Sequence, residues 1–299
     1  MSKILTKVHN KLITIKRDTG LWYDAQRYRI SVMSALQTIR YIQSHKCSVA
    51  RFGDGELNMI LKGKSIGFQK NEPELAEKLK AVLCTNDPHL LICLPHCFSR
   101  FYGENLRARE FWKSFLENNR AEIAKILYAG KMKSYRFGDT QMTRPYMDYS
   151  KSADPAKVYS ELKKIWDNRS LLIVEGYATR MGVGNDLFDN ARSINRIICP
   201  AENAYGSYDR IKAAVTARCS DELVLLALGP TATVLAADLS NEGLWAIDVG
   251  HLDVEYEWYK NGVKEKTAIK GKYVNEVSGG RAIEDCSDET YLGQIIARV

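Results

Sequence analysis

The sequence has 299 residues, of which 45% are hydrophobic and 26% charged, as is typical of soluble globular proteins with one large or two small domains. No window approaches the roughly 18 consecutive apolar residues of a membrane span, and the first residues lack the apolar stretch of a secretory signal. The net charge of +7 suits an anionic ligand or surface, but the basic residues are dispersed and form no recognisable nucleic-acid-binding motif. Composition therefore argues against an integral membrane protein and gives no support to a nucleic-acid-binding one.

Residues 1–40 are predicted to form an N-terminal helical segment. Apolar residues alternate there with the basic residues Lys3, Lys7, Lys11, Lys16 and Arg17. This pattern fits a helix packed on its own domain, which we favour, and it also fits a basic amphipathic helix lying on anionic lipid. The seven cysteines are an odd number and do not predict a disulfide framework. Reduced thiols without a signal predict a cytoplasmic protein, with peripheral contact at the inner face of the membrane left open.

Five short apolar runs follow in chain order, and each ends in glycine or polar residues. They lie in the segments CSVARFGDGELNMIL, HLLICLPHCF, SLLIVEGYATRMGVGNDLFDNA, ELVLLALGPTATVLAADLSNEG and LWAIDVGHLDVEYEW. Such runs alternating with helical patterns predict an α/β protein with a Rossmann-like, doubly wound and mostly parallel sheet flanked by helices. We assign this domain to residues 41–275 and expect residues 276–299 to form a tail packed on it. Ligands of such sheets bind beyond the carboxyl ends of the strands.

Asp54 and Glu56 flank Gly55 directly after the first apolar run. In an extended segment, residues two apart point the same way, and both carboxylates could hold a divalent cation. If a helix begins here, one of the acids instead stabilises its first turn. The residues leave both interpretations open. A calcium-binding EF-hand loop is excluded because Met59 and Ser65 occupy the positions of its glycine and its last glutamate.

The third run ends in Glu175 and continues into a glycine-rich segment with Arg180, Gly182 and Asn185. Leu187 occupies the third glycine position of the dinucleotide fingerprint, which disfavours NAD. An arginine beside a glycine-rich turn can hold phosphate, and an acid at a strand end can accept hydrogen bonds from sugar hydroxyls. The alternative is an ion pair between Glu175 and Arg180.

The last two runs and one loop supply further candidates. Gly229 and Thr231 stand where a helix is predicted to begin, which is a site suited to a diphosphate or simply a capped turn. Asp248 and His251 are candidates for a general base, although His251 could also bind metal or serve structure. Arg144 precedes a proline, so an extended loop could present its guanidinium to a ligand.

Five motifs occur in a characteristic order. They are RFGDGE (51–56), TRPYMD (143–148), GVGNDLF (182–188), ALGPTATVLAADL (227–239) and AIDVGHLDVEYEW (246–258). Together they resemble the bacterial GT-D-type glycosyltransferases, a family first catalogued as a domain of unknown function. The resemblance covers roughly residues 40–275.

The resemblance implies that a nucleotide-diphospho-sugar, typically UDP-glucose, donates a hexose to a glycan acceptor on a protein or lipid carrier. The family's D-x-E motif handles the metal–diphosphate, and Asp54-Gly55-Glu56 matches it. We therefore expect Asp54 and Glu56 to hold Mn2+ or Mg2+, Glu56 also to serve catalysis, and Asp248 or His251 to act as base. The expected donor-binding residues are Arg51, Gly53, Arg144, Glu175, Arg180, Gly182, Asn185, Gly229 and Thr231.

Two other classes of function use similar residues. A metal-dependent phosphohydrolase or nucleotidase also needs clustered acids and an arginine, but it releases inorganic phosphate. A non-catalytic sugar-nucleotide-binding module would bind the donor without turnover. A methyltransferase is disfavoured because no glycine-rich turn after the first strand is followed by an acid that ends the second. Peripheral membrane contact and a homodimer remain open as further interactions.

Overall fold

Nine strands form one sheet in the part of the chain described by the structure, a computed structural model covering residues 3–130, 135–150, 153–281 and 283–299. The strands are β1 (Ser31–Val32), β2 (Ser48–Arg51), β3 (Leu90–Leu94), β4 (Arg136–Asp139), β5 (Ser170–Gly176), β6 (Ser193–Cys199), β7 (Leu223–Ala227), β8 (Ala246–Asp248) and β9 (Ile295–Arg298). Their order across the sheet is β1-β4-β3-β2-β8-β7-β5-β6-β9. Every pairing is parallel.

Helices cover both faces of this sheet. Within the same ranges they are α1 (Lys3–Arg27), α2 (Ala35–His45), α3 (Asp54–Lys62), α4 (Pro73–Cys84), α5 (Leu106–Gly130), α6 (Pro155–Lys163), α7 (Tyr208–Thr216), α8 (Pro230–Asn241), α9 (Leu252–Lys260) and α10 (Glu289–Gln294). Ala50 and Ile92 belong to one apolar cluster, and Val49 and Leu91 belong to the other. Neighbouring strand residues point to opposite faces, so both faces are buried, which explains the continuous apolar runs. The predicted doubly wound α/β sheet is confirmed.

The five predicted runs correspond to β2, β3, β5, β7 and β8, and four further strands complete the sheet. These four carry weak signals, since β1 has two residues, β4 and β9 have four each, and β6 contains Asn195 and Arg196. β1 and β9 come from the segments 1–40 and 276–299. Both segments therefore add an edge strand to the central sheet.

The N-terminal helix α1 lies along α5. Arg17 pairs with Glu110, and the Tyr28 carbonyl accepts from Arg120 Nη2 at 3.3 Å. The predicted packing of this helix on its own domain is thus present, while the side chains of Lys3, Lys7 and Lys11 lie outside the described part of the structure. None of the described helices is long and apolar enough to cross a membrane.

The path of the chain places its switch point between β2 and β8. From β2 the chain proceeds outward through β3 to β4, then crosses to β5 and β6 on the other side, and returns through β7 to β8. β2 and β8 pair through Val49 and Ile247. Crevices in doubly wound sheets open at such a switch point, beyond the carboxyl ends of the strands.

Candidate functional site

The carboxyl ends of β2 and β8 form the centre of the candidate site. Arg51 is the last residue of β2 and Asp248 the last residue of β8. Because the two strands are parallel neighbours, these side chains meet, and Arg51 Nε lies 3.4 Å from Asp248 Oδ1. Two residues predicted from separate motifs, 197 positions apart, are therefore in one site.

The segment after β4 and the loop after β8 fix the guanidinium of Arg51. Its Nη1 donates to the Thr140 carbonyl at 3.1 Å and to the Thr143 hydroxyl, both beyond the end of β4. Gly250, with φ of +48°, leaves room for it, because a Cβ there would lie 1.9 Å from Arg51 Nη2. Only glycine suits both that backbone angle and that close approach. This packing requirement at Gly250 could not be predicted, because no local pattern links Gly250 to Arg51.

Asp248 is buried, with 3% of its surface exposed. Its Oδ1 accepts from the Gly250 N–H at 3.1 Å, and its Oδ2 accepts from the Thr233 hydroxyl at 3.2 Å. Burial raises the pKa of Asp248, and the charge of Arg51 opposes that rise. Both oxygens already have donors, so the carboxylate holds Arg51 and the start of α8 in place.

Asp54 and Glu56 lie in the first turn of α3, so the extended conformation considered for them is wrong. Gly53 precedes the helix, and its N–H donates to Glu56 Oε2 at 2.8 Å. This contact is the helix-capping alternative, and it leaves Glu56 Oε1 for another partner. No described lysine, arginine or histidine forms a salt bridge with either carboxylate. Capping and ligand binding are thus compatible at this turn.

The carboxylates at this edge disfavour one another's ionised form. Burial raises the pKa of Glu56 to about 7, and the charges of Asp248 and Asp54 add to the rise. Burial also raises the pKa of Asp54, which the charge of Arg144 opposes. Like charges held this close are unfavourable unless a cation or a proton joins them. A cation or a proton beside Glu56 would therefore be favourable.

Glu276 joins His251 to Arg144 beside this cluster. His251 Nδ1 lies 2.6 Å from Glu276 Oε1, and Arg144 contacts both Glu276 oxygens, at 2.8 and 3.2 Å. Lys266 also pairs with Glu276. Burial opposes ionisation, but the hydrogen bond with His251 and the charge of Arg144 bring the pKa of Glu276 well below its usual range. Sequence reasoning missed Glu276, because no strand end, glycine turn or paired acid marks it.

Arg144 is held by a second carboxylate as well. Its Nε lies 3.4 Å from Oε1 of Glu255, which is fully buried and whose Oε2 accepts from the Met147 N–H at 3.0 Å. The guanidinium thus sits between α9 and the C-terminal segment, next to His251 at 3.4 Å. Its charge favours the ionised form of Glu276 and opposes the rise that burial causes in the pKa of Glu255.

Four predicted donor-binding residues lie instead at the carboxyl end of β5 or in the segment that follows it. There Glu175 Oε1 is 2.7 Å from Arg196 Nη1, and its Oε2 accepts from the Met181 N–H at 2.7 Å. The alternative pairing of Glu175 with Arg180 is therefore wrong. Arg180 donates to the carbonyl groups of Gly271 at 2.7 Å and Glu284 at 2.5 Å. Both side chains support the protein's own loops.

Gly182 and Asn185 complete this second group by holding α9. The Gly182 N–H and the Asn185 amide both donate to Asp253 Oδ1 at 2.8 Å. Buried Lys272 neutralises Asp253 at 2.7 Å and Glu257 at 2.9 Å. These contacts give the segment a scaffolding role, and donor contact by its residues stays a prediction.

The start of α8 lies beside the site and is covered by the loop between α3 and α4. Gly229 has φ of +58°, and a Cβ there would lie 2.3 Å from the ring of Phe68. Phe68 also stands 6.5 Å from the His251 ring, centroid to centroid. Thr231 is buried, with its hydroxyl 3.4 Å from Gln69 Oε1. The predicted anion site at this helix therefore borders the acidic cluster but lies under Phe68.

Comparison with known proteins identifies the family. The family profile "Glycosyltransferase GT-D fold" matches residues 49–277. A probable glycosyl transferase, Gly, of Streptococcus gordonii is 39% identical over 277 residues, which is 92% of this chain and 40% of that protein. The chain thus spans less than half the length of this relative.

Solved structures agree in fold over nearly the whole chain. One, described as a domain of unknown function 1792 with a distinct glycosyltransferase fold, is 37% identical, with a TM-score of 0.84, and the match covers 93% of this chain and 99% of that one. Another, described as a new glycosyltransferase (DUF1792) from Streptococcus sanguinis, is 38% identical, with a TM-score of 0.82 and coverage of 91% and 100%. The family profile, the sequence identity and the shared fold together establish that this chain belongs to the glycosyltransferases of the GT-D fold.

Proposed function

We propose that the protein transfers a hexose, glucose in the first instance, from a UDP-sugar to a glycan acceptor on a protein or lipid carrier. The observation that carries this proposal is the pair Asp54 and Glu56 in the first turn of α3, neither of which has a salt-bridge partner in the described chain. The charges of Asp248 and Asp54 disfavour the ionised form of Glu56, so a cationic partner is favourable there. A diphosphate leaving group adds negative charge at the same edge, beside three acids. A cation between the diphosphate and the acids offsets their repulsion. Family membership supports the transferase reaction itself.

The residues present fit a divalent cation held by few protein ligands. Asp54 has no salt-bridge partner in the described chain, and Glu56 uses only Oε2 in capping. The same described residues contain no group of three or more histidines, cysteines or acids arranged as a complete metal site. Mn2+ or Mg2+ bound by two carboxylates would complete its shell with phosphate oxygens and water. When bound, such an ion neutralises the charge that develops on the departing diphosphate.

The neighbouring side chains have distinct roles in this proposal. Arg51, fixed by Thr140 and Thr143, presents a rigid positive group beside the cluster and helps to orient the diphosphate. The start of α8 at Gly229 offers further N–H donors once Phe68 moves aside. Donor binding is thereby assigned to the β2, β4 and β8 ends rather than to the end of β5.

His251 is the better placed of the two base candidates. With its Nδ1 proton donated to Glu276, the neutral ring leaves Nε2 free to accept the proton of an acceptor hydroxyl. Asp248 has donors on both oxygens and is already paired with Arg51. Glu276 is then a positioning residue, which fixes the tautomer and orientation of the ring.

A donor panel tests the proposal. Purified protein is incubated with UDP-, GDP- and TDP-sugars, with manganese or with chelator, and nucleotide diphosphate, free sugar and inorganic phosphate are measured separately. Asp54→Asn and Glu56→Gln are the test variants. Asp209→Asn is the matched control, because Asp209 is an exposed acid in the first turn of α7, away from the site.

Metal-dependent release of UDP from one sugar, lost in both test variants and kept in the control, is the expected result. Release of inorganic phosphate instead would assign a phosphohydrolase or nucleotidase. Donor binding by calorimetry without turnover, even with glycan acceptors supplied, would assign a binding module. Absence of binding to every nucleotide sugar, with and without metal, would overturn the proposal.

A further inference from the structure

A group of exposed apolar side chains lies on α1 and the beginning of α5, two helices that pack against each other. It consists of Ile15, Trp22, Tyr23, Leu106 and Phe111, with 52, 61, 66, 77 and 49% of their surfaces exposed. We call these five residues the α1–α5 surface. The described chain has only three other large hydrophobic side chains that are similarly exposed, Tyr177, Leu292 and Ile296. Exposed apolar area is therefore concentrated here, which is the usual mark of an interaction surface.

Packing within the domain does not account for this patch. α1 and α5 run in the same direction, since Asp18 pairs with Lys113 at 2.7 Å near one end and Tyr28 contacts Arg120 at 3.3 Å further along both helices. α1 uses one side for this contact, with Leu21 and Tyr28 packed against the core. Ile15 and Trp22, seven residues apart, lie together on another side of the helix.

The same segment carries most of the chain's net charge. Residues 1–29 contain seven lysines and arginines against two aspartates, a net charge of +5 out of +7 for the whole chain. Lys16 and Arg27 are exposed on α1, and Arg107 is exposed beside Leu106. Basic and aromatic side chains on one solvent-facing helix are the combination that binds the interface of an anionic bilayer.

We propose that the α1–α5 surface docks the protein on a membrane rich in anionic lipid. Trp22 and Tyr23 enter the headgroup region, where amphipathic rings are favoured, and the lysines and arginines contact lipid phosphates. A second copy of the chain is a poorer occupant, because pairing two such segments would bring two net charges of +5 together. With the proposed function, docking would hold the carboxyl edge of the sheet near an acceptor built on a lipid carrier.

Vesicle sedimentation tests this surface directly. Full-length protein is mixed with vesicles of phosphatidylcholine alone, or with about 30% phosphatidylglycerol added to supply the anionic surface. The test variants are the double substitution Trp22→Ala/Tyr23→Ala and the charge reversal Lys16→Glu/Arg27→Glu. The matched controls are Leu292→Ala, an exposed apolar residue elsewhere, and Lys264→Glu, an exposed lysine outside α1. Circular dichroism verifies that every variant is folded.

The expected result is salt-sensitive binding to the anionic vesicles only, weakened about ten-fold or more in both test variants and unchanged in the controls. UDP release from the donor alone should be the same in all of them, so a failure here leaves the proposed function intact. Three results would overturn the proposal. The first is no binding to anionic vesicles. The second is a concentration-dependent dimer, seen by light scattering, that the Trp22/Tyr23 variant abolishes. The third is binding to a random oligonucleotide but not to lipid, with both test variants weakening the oligonucleotide binding equally.

Discussion

The two halves of the carboxyl edge differ in how completely their carboxylates are neutralised by the protein's own side chains. Beyond β5, Glu175 is paired with Arg196, and Asp253 with Lys272, at 2.7 Å each. Beyond β2 and β8, Asp54 and Glu56 have no cationic partner within salt-bridge distance in the described chain. Ion pairs such as Glu175–Arg196 serve the scaffold, whereas the half-buried Asp54 and Glu56, without a cationic partner, are the better candidates for binding a ligand.

The substitution Arg196→Met is the sharpest test of the ion pairs at the end of β5. It leaves Glu175 buried without a counter-charge, and we expect the free energy of unfolding to fall by about 3–5 kcal/mol. Chemical denaturation measures the change. Arg192→Met, at an exposed neighbouring position, should stay within about 0.5 kcal/mol. A comparably small effect of Arg196→Met would show that the pair is not structural.

The matching test at the ends of β2 and β8 is the substitution Asp54→Asn. Donor turnover should fall by about 10²–10³-fold, while the metal-free protein becomes no less stable, because one of several repelling carboxylates is neutralised. Thermal unfolding in chelator and the UDP-release assay give the two readouts. A loss of stability as large as that from Arg196→Met would remove the distinction between the halves.

Gly250→Ala tests how closely Arg51 must be positioned. The new Cβ would displace the guanidinium, and we expect about a 10²-fold loss of turnover with a stability loss of about 1–3 kcal/mol. Gly262→Ala is the control, since it has φ of +62° but nothing within 4 Å of the added Cβ. Gly262→Ala introduces the same kind of backbone strain without a clash. Equal losses of turnover in the two variants would show that displacement of Arg51 is not the cause.

The pH dependence of stability distinguishes Glu56, which has no salt-bridge partner in the described chain, from the carboxylates that form ion pairs. Its folded-state pKa of about 7 lies above the ordinary 4.5, so the unfolded state loses its proton first. The metal-free protein should therefore lose roughly 1–3 kcal/mol as pH rises from about 4.5 to 7. Comparing the wild type with Glu56→Gln, in denaturant titrations across this range, isolates the contribution. Parallel curves for the two proteins would contradict it.

A buried histidine also makes stability fall as pH rises, but over a higher pH range. Burial opposes protonation of His96, but Asp139 and Glu104 raise its pKa to about 9. Its stabilising charge is thus complete below about pH 6.5 and is lost as the pH rises through 9. This window overlaps that of Glu56 only between about pH 6.5 and 7, so denaturant titrations above pH 7 measure the contribution of His96.

The smallest expected change is that of Glu276→Gln. The amide can still accept from His251 but carries no charge, so turnover should fall about ten-fold with the donor KM nearly unchanged. The pH–rate profile should shift at the same time, which a purely structural contact would not cause. Steady-state kinetics across pH measures both, and an altered KM with normal turnover would place Glu276 in donor binding instead.

The sequence was sufficient for the architecture and for half of the site. Apolar runs ending in polar residues identified β2, β3, β5, β7 and β8. Strands that are buried on both faces are usually almost entirely apolar, which makes them visible in the sequence. β6 was missed since it contains Arg196, whose charge is explained only by Glu175 on the neighbouring strand. Partners that arise from strand order cannot be read along the chain.

The same reason explains the errors among the site residues. Glu175 at the end of β5 and Asp54 after β2 look alike in sequence, but only Glu175 forms a salt bridge with an arginine in the folded protein. Glu276 was invisible because its partners, Arg144 and His251, lie 132 and 25 residues away. Local spacing predicts which groups reach the edge of the sheet, and the tertiary fold decides which of them are neutralised.

The pairing of β2 with β8 also sets the time at which the site can form. Ser48 and Ala246, joined by a hydrogen bond across these strands, are 198 residues apart. A ribosome adding about 5–20 residues per second needs roughly 10–40 s to span that interval. Throughout this time Asp54 and Glu56 exist in a nascent chain without Asp248 or the loop that carries His251. The centre of the sheet is therefore among the last contacts to be completed, and the long sequence separation predicts slow folding and a need for protection of β2 until β8 arrives.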